Sequence, residues 1–122
     1  MKPGKNGVAR VIDATFYTMR GLRAAWRHEA AFRQEVVLAS VMVPLAFWVG
    51  RSALECAVLI GAVVLVLAVE LLNSGLEAAI DRIGHEHHVL SGQAKDMGSA
   101  AVFISLVGAG TVWLLIGGAR LV

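Results

Sequence analysis

Three apolar runs set the outline of the chain: "VVLASVMVPLAFWVG" at 36–50, "CAVLIGAVVLVLAV" at 56–69 and "MGSAAVFISLVGAGTVWLLIGG" at 97–118. Only the third reaches the roughly 20 residues that cross a bilayer core at about 1.5 Å per residue. The other two become full spans if their helices take in flanking polar residues, Gln34 and Glu35 for the first and Glu70 through Glu77 for the second. That extension brings carboxylates to, or inside, the membrane interface. Pro44 interrupts the first run and predicts a kink of the kind membrane helices tolerate. A short link at 51–55 and a longer one at 82–96 separate the runs.

Ahead of the first run, Val8, Ile12, Phe16, Met19 and Trp26 recur at roughly helical spacing, with Arg10, Arg20, Arg23 and Arg27 mostly between them. This pattern predicts an amphipathic helix lying on the inner membrane surface, although simple anchoring would explain the periodicity equally well. Gly98, Ala101, Ser105 and Ala109 form a stripe of small residues in the third run, and Gly75 followed by Ala79 a shorter one in the second. Such stripes let membrane helices approach closely. The expectation is an all-α integral membrane protein, one domain over 1–122, with a surface helix at about 6–28 and transmembrane helices at about 30–50, 54–82 and 91–119. Three spans enclose a polar site poorly, so oligomerisation is expected.

Composition agrees with the pattern. The chain is 57% hydrophobic and 16% charged, with a mean hydropathy of +0.70, where a soluble domain is nearer half apolar and a quarter charged. A formal charge of +2 is too small to point to nucleic acid. Its distribution says more: Lys2, Lys5, Arg10, Arg20, Arg23, Arg27 and Arg33 fall in the first 33 residues, against only Asp13 and Glu29. A basic leader before an apolar run resembles a signal peptide, but this one is too long and lacks a small-residue cleavage pattern. Arg82 and Lys95 mark the 82–96 link, whereas the 51–55 link and the C-terminus carry one Arg each. The positive-inside bias places the N-terminus and the 82–96 link in the cytoplasm, and the 51–55 link and C-terminus outside. Cys56 is the sole cysteine, which excludes an intrachain disulfide and reads as an inert thiol.

The candidate chemistry begins where the second run meets charge. Glu70, Asn73, Glu77 and Asp81 share one helix face. Glu70 directly follows "LVLAV", and an ionisable group beside hydrocarbon is a functional candidate by default. Asp81 reads as a solvated helix end paired with a neighbour such as Arg82. Glu29 and Glu35 sit where the surface segment meets the first span; carboxylates meeting there suit a hard cation such as Mg²⁺, although each alone reads as a surface residue capping or pairing with Arg. The "HEHH" run at 85–88 lacks the spacing of a helical zinc pair. Lys95 and Asp96 read either as interfacial snorkelling and capping or as phosphate-contacting groups. No Walker-type loop, kinase glycine loop, Rossmann fingerprint or nucleophile elbow occurs. A small proton-conducting membrane oligomer would account for Glu70, but gives Glu29, Glu77, Lys95 and Asp96 no role.

Three blocks, "GLRAAWRHEAAFRQE" (21–35), "VELLNSGLEAAIDRIG" (69–84) and "LSGQAKDMGSAAV" (90–102), in this order around three spans, resemble the prokaryotic membrane-integral diacylglycerol kinases over nearly the whole chain. His28 and Gln93 stand where that family has Asn and Arg. The resemblance implies a homotrimer in the bacterial cytoplasmic (inner) membrane with active sites shared between subunits, using ATP and Mg²⁺ to convert diacylglycerol to phosphatidic acid. It implies Glu70 as the base toward the lipid hydroxyl and Glu29 and Glu77 as metal-holding carboxylates. Arg10, Tyr17, Glu29, Glu77, Glu86, His88, Lys95 and Asp96 fall at its nucleotide-contacting positions, with Asn73 supporting the site. Ala14, Arg23, Trp26, Ala31, Gln34, Glu35, Trp48, Glu70, Ser99 and Trp113 fall in its lipid-facing regions. A related undecaprenol kinase would use the same fold and carboxylates.

Overall fold

A computed structural model describes residues 6–84 and 88–122, and these form four helices: α1 (Gly7–His28), α2 (Ala30–Val49), α3 (Ala53–Ile83) and α4 (Val89–Leu121). The described residues contain no strand. By length and composition α2, α3 and α4 can each cross a membrane. The apolar run at 56–69 does not end its helix: α3 continues as one helix through Glu70, Asn73, Glu77 and Asp81. Likewise α2 continues through Pro44.

Helix ends follow local chemistry. Asn6 caps α1, its Oδ1 accepting from Ala9 N at 2.8 Å. One extended residue, Glu29 (φ −119°, ψ 103°), separates α1 from α2. The Arg33 guanidinium reaches back across this joint and donates to the carbonyls of Trp26 at 2.7 Å and Arg27 at 3.3 Å. It thereby satisfies two of the carbonyls a helix end leaves open. At the other end of α2, Ser52 accepts from Glu55 N at 3.1 Å while the Glu55 carboxylate accepts from Arg51 N at 3.1 Å. This Ser-x-x-Glu arrangement, close to a capping box, starts α3. Gly50 makes the turn possible through space rather than dihedral freedom: a Cβ there would lie 2.7 Å from Cys56 Sγ. The half-buried Cys56 thiol donates to Ala46 O at 3.4 Å.

α3 is the middle element, packed along α4 and α2, while α2 and α4 touch little. The buried positions recur every seven residues: Ala25, Phe32, Ala39 and Ala46 along α1 and α2, Leu59 and Val66 on α3, Gly98 and Ser105 on α4. This is the seam of helices that cross at a shallow angle. Small residues dominate it, as close approach of membrane helices requires. Of the small-residue positions expected on α4, Gly98 and Ser105 are buried and Ala109 half-buried, whereas Ala101, like Gly75 and Ala79 on α3, is exposed. The tightest cluster, Ala46, Val49 and Leu59 with Trp113 against it, lies near the α2–α3 turn. There the Trp113 indole donates to Leu59 O at 3.2 Å and straps α4 to α3.

Candidate functional site

Glu70 follows Val66 by four residues and so continues the buried seam of α3; it is 6% exposed. Ser105 is the other buried polar side chain, and its hydroxyl is satisfied by Val102 O at 2.7 Å. Among the described residues no hydrogen bond meets the Glu70 carboxylate. The charges that act on it through space are Glu35 from α2, Glu77 one helical face further along α3, and Glu29 at the α1–α2 joint. Two helices and a joint thus bring four carboxylates to one region.

Asn73 and Glu77 extend the site along α3. The Asn73 amide donates to Glu77 Oε1 at 3.4 Å. Its Oδ1 is buried without a partner and lies against Gly98 of α4, where a Cβ would collide with it. Gly98 therefore permits the crossing that sets Asn73 in place. Gly98→Ala is expected to displace the Asn73 amide from its place beside Glu77 and destabilise the fold by about 1–3 kcal/mol, the usual effect of overpacking. A lowered thermal midpoint in detergent would show it; an unchanged one would mean the Asn73 side chain swings aside freely.

One turn past Glu77, Asp81 Oδ1 accepts from Lys95 Nζ of α4 at 2.8 Å. This contact joins α3 to α4. His88 caps α4, its Nδ1 accepting from Leu90 N at 3.1 Å. Asp96 and Ser99 are exposed on the same end of α4. Glu86 lies outside the described residues.

Beside the joint, α1 and α3 border a groove of about 450 Å³ whose walls include Ala25, Leu71 and Gly75, with Glu29 at its edge. A second, smaller cavity of about 180 Å³ lies between α2, α3 and α4, with Glu35 and Trp113 among its walls. Ala14, Arg23, Trp26, Ala31 and Gln34 are exposed on α1 and the start of α2. Tyr17 is exposed with the Arg20 guanidinium 6.0 Å from its ring. Two groups of expected site residues stay apart within one chain. Arg10 lies about 29 Å along α1 from Glu29 at 1.5 Å per residue. Trp48, about 20 Å along α2 from Glu35, is exposed with Arg120 5.1 Å above its ring.

The donors assembled here are hard oxygens, yet among the described residues no three acidic or imidazole side chains gather as a ready-made metal cage. Such a site suits an ion that keeps water or phosphate ligands. Sequence reasoning missed the Gly98–Asn73 contact and the Asp81–Lys95 pair. Nothing in a linear pattern pairs residues 81 and 95 across a helix reversal.

Three helices long and apolar enough to cross a membrane, with a buried carboxylate in their seam, define the class: a helical membrane protein with an ionisable group set among its spans. The family model for prokaryotic diacylglycerol kinase matches residues 16–117. The chain is 49% identical to the diacylglycerol kinase of Escherichia coli K12 over 116 residues, covering 95% of each. It is 49% identical to that of Haemophilus influenzae over 107 residues (88% of this chain, 91% of the relative) and 48% to that of Pseudomonas aeruginosa over 113 (93% and 92%). The chain belongs to the prokaryotic diacylglycerol kinase family, a family of enzymes.

Proposed function

We propose that this protein transfers the γ-phosphoryl group of ATP to the free hydroxyl of diacylglycerol, forming phosphatidic acid at the cytoplasmic surface of a bacterial inner membrane. The observation that carries this reading is Glu70, a carboxylate set into the apolar seam of α3 with three further carboxylates around it. The names of the relatives supply the substrate.

Depth along α3 supports the assignment of roles. Counted from Ala53, Glu70 lies about 26 Å along the axis and Glu77 about 36 Å, on either side of the far boundary of a hydrocarbon core roughly 30 Å thick. Glu70 is thus level with the hydroxyl of a membrane-dissolved lipid, and Glu77 with a nucleotide arriving from water. In the transfer, the Glu70 carboxylate takes the proton of the lipid hydroxyl as that oxygen bonds to the γ-phosphorus and the bond to the β-phosphate oxygen breaks, releasing ADP. Glu29 and Glu77 offer hard carboxylate oxygens that fit a Mg²⁺ retaining phosphate and water ligands. Bound there, Mg²⁺ would neutralise charge on the ATP phosphates. Asn73 holds Glu77 in position, and Lys95 offers its ammonium to the transferred group.

Arg10, Tyr17, Glu86, His88 and Asp96 complete the nucleotide site in this reading. Arg10 lies about 29 Å along α1 from Glu29 of its own chain, which supports a homotrimer whose sites are shared between copies. α1 lies on the inner membrane surface, its apolar side chains Val8, Ile12, Phe16 and Met19 already exposed for that contact. Ala14, Arg23, Trp26, Ala31, Gln34, Ser99 and Trp48 lie toward the lipid, Glu35 and Trp113 line the smaller cavity between the spans, and the C-terminus lies outside.

The test is label transfer from γ-labelled ATP by the purified protein in lipid micelles, offered diacylglycerol or undecaprenol with and without Mg²⁺. Mg²⁺-dependent label in phosphatidic acid is expected. Label only in undecaprenyl phosphate would replace the substrate. Transfer to neither lipid, with proton flux across vesicles, would replace the reaction.

A further inference from the structure

We infer that Asp81 is a positioning residue for phosphoryl transfer, holding the Lys95 ammonium beside Glu77 so that it meets the ATP phosphates already in place. This rests on the reading of Lys95 as a phosphate ligand. The contact joins α3 to α4 at 2.8 Å, across 14 residues of sequence. Asp81 lies one turn from Glu77 on the same helix face, and among the described residues Glu77 is the other carboxylate that acts on Lys95 through space.

Three features favour positioning over support of the fold. Both side chains are about half-exposed, 44% for Lys95 and 55% for Asp81, and exposed pairs add little to stability. The two helices are already held by their buried seam, with Gly98 set against Asn73 one turn beyond Lys95. A lysine ammonium on four rotatable carbons is poorly ordered alone. It has three donors, so the bond to Asp81 leaves two for phosphate oxygens. Without Asp81, the carboxylate left to attract Lys95 is Glu77, which the proposed function assigns to the metal. Asp81 therefore orders the ammonium and also keeps it from closing onto Glu77.

The experiment compares steady-state kinetics and thermal midpoints of Asp81→Asn, Asp81→Glu, Lys95→Ala and the double variant Asp81→Asn/Lys95→Ala in the full-length protein in lipid micelles. Asp81→Asn is expected to raise KM for ATP about fivefold, near the upper end for an exposed pair. KM for diacylglycerol and the thermal midpoint should hold, and Asp81→Glu should recover part of the loss. Lys95→Ala should raise KM for ATP further, with Asp81→Asn adding nothing in that background. A lowered midpoint with unchanged KM in Asp81→Asn would make the pair purely structural and overturn the inference. So would an undiminished Asp81→Asn effect in the Lys95→Ala background, or a KM that falls. An ATP KM unmoved by Lys95→Ala overturns the phosphate role of Lys95 itself; a KM raised by Lys95→Ala but not by Asp81→Asn overturns the positioning role alone.

Discussion

Glu70→Gln is expected to lower phosphoryl transfer by about 10²–10⁴-fold, the usual contribution of a positioned general base, while the thermal midpoint holds or rises. The two effects have one origin. Glu70 occupies a seam position, 6% exposed, with Glu35, Glu77 and Glu29 acting on it. An amide of the same shape is cheaper to bury than a carboxylate and relieves repulsion among the four. It cannot, however, accept the proton of the lipid hydroxyl. Residues kept for chemistry commonly show this opposition between activity and stability. Label transfer and thermal unfolding in the same detergent measure both. Full activity in the amide variant would remove Glu70 from the chemistry; a collapsed midpoint would mean the carboxylate is a structural element with a partner.

Glu77→Gln is expected to fail differently. Its carboxylate lies about 10 Å further along α3 than Glu70, and Asn73 donates to it. If it holds the metal on ATP, its loss weakens apparent Mg²⁺ affinity by at least about 10- to 100-fold, the range already seen when groups merely supporting a ligand are removed. A titration of rate against Mg²⁺ should shift to higher concentration and recover part of the activity. The Glu70 variant should stay inactive throughout that titration. Parallel responses of the two variants to Mg²⁺ would collapse the division of roles between base and metal carboxylate.

Periodicity made much of this molecule readable. The spacing of Glu70, Asn73, Glu77 and Asp81 defines one face only on a helix, and α3 is one helix through all four. The need of 36–50 and 56–69 to borrow polar flanks was also legible, because a span requires a minimum length whatever its composition. Contacts between helices were not. Gly98 was visible as a small residue, but its opposition to Asn73 depends on how α3 and α4 are staggered. A linear pattern offers Asp81 a chain neighbour such as Arg82, but not the contact with Lys95 that comes from the next helix. The resemblance puts Trp113 in a lipid-facing region, but its indole nitrogen donates to Leu59 O, a bond no composition argument contains. The length of α1 puts Arg10 about 29 Å along the helix from Glu29, a distance invisible in a list of site positions.

The placement of Glu70 and Glu77 along one rigid rod turns α3 into a depth gauge. With the two carboxylates only about 10 Å apart on the axis, a change of a few ångströms in bilayer thickness moves a large part of that interval across the boundary between oil and water. Thin membranes would lift Glu70 toward water and away from the lipid hydroxyl; thick ones would draw Glu77 into the hydrocarbon. Tilting softens the mismatch without abolishing it. Turnover in vesicles of graded acyl length should therefore pass through a maximum, and the host bilayer acts as a determinant of catalysis alongside the substrates themselves.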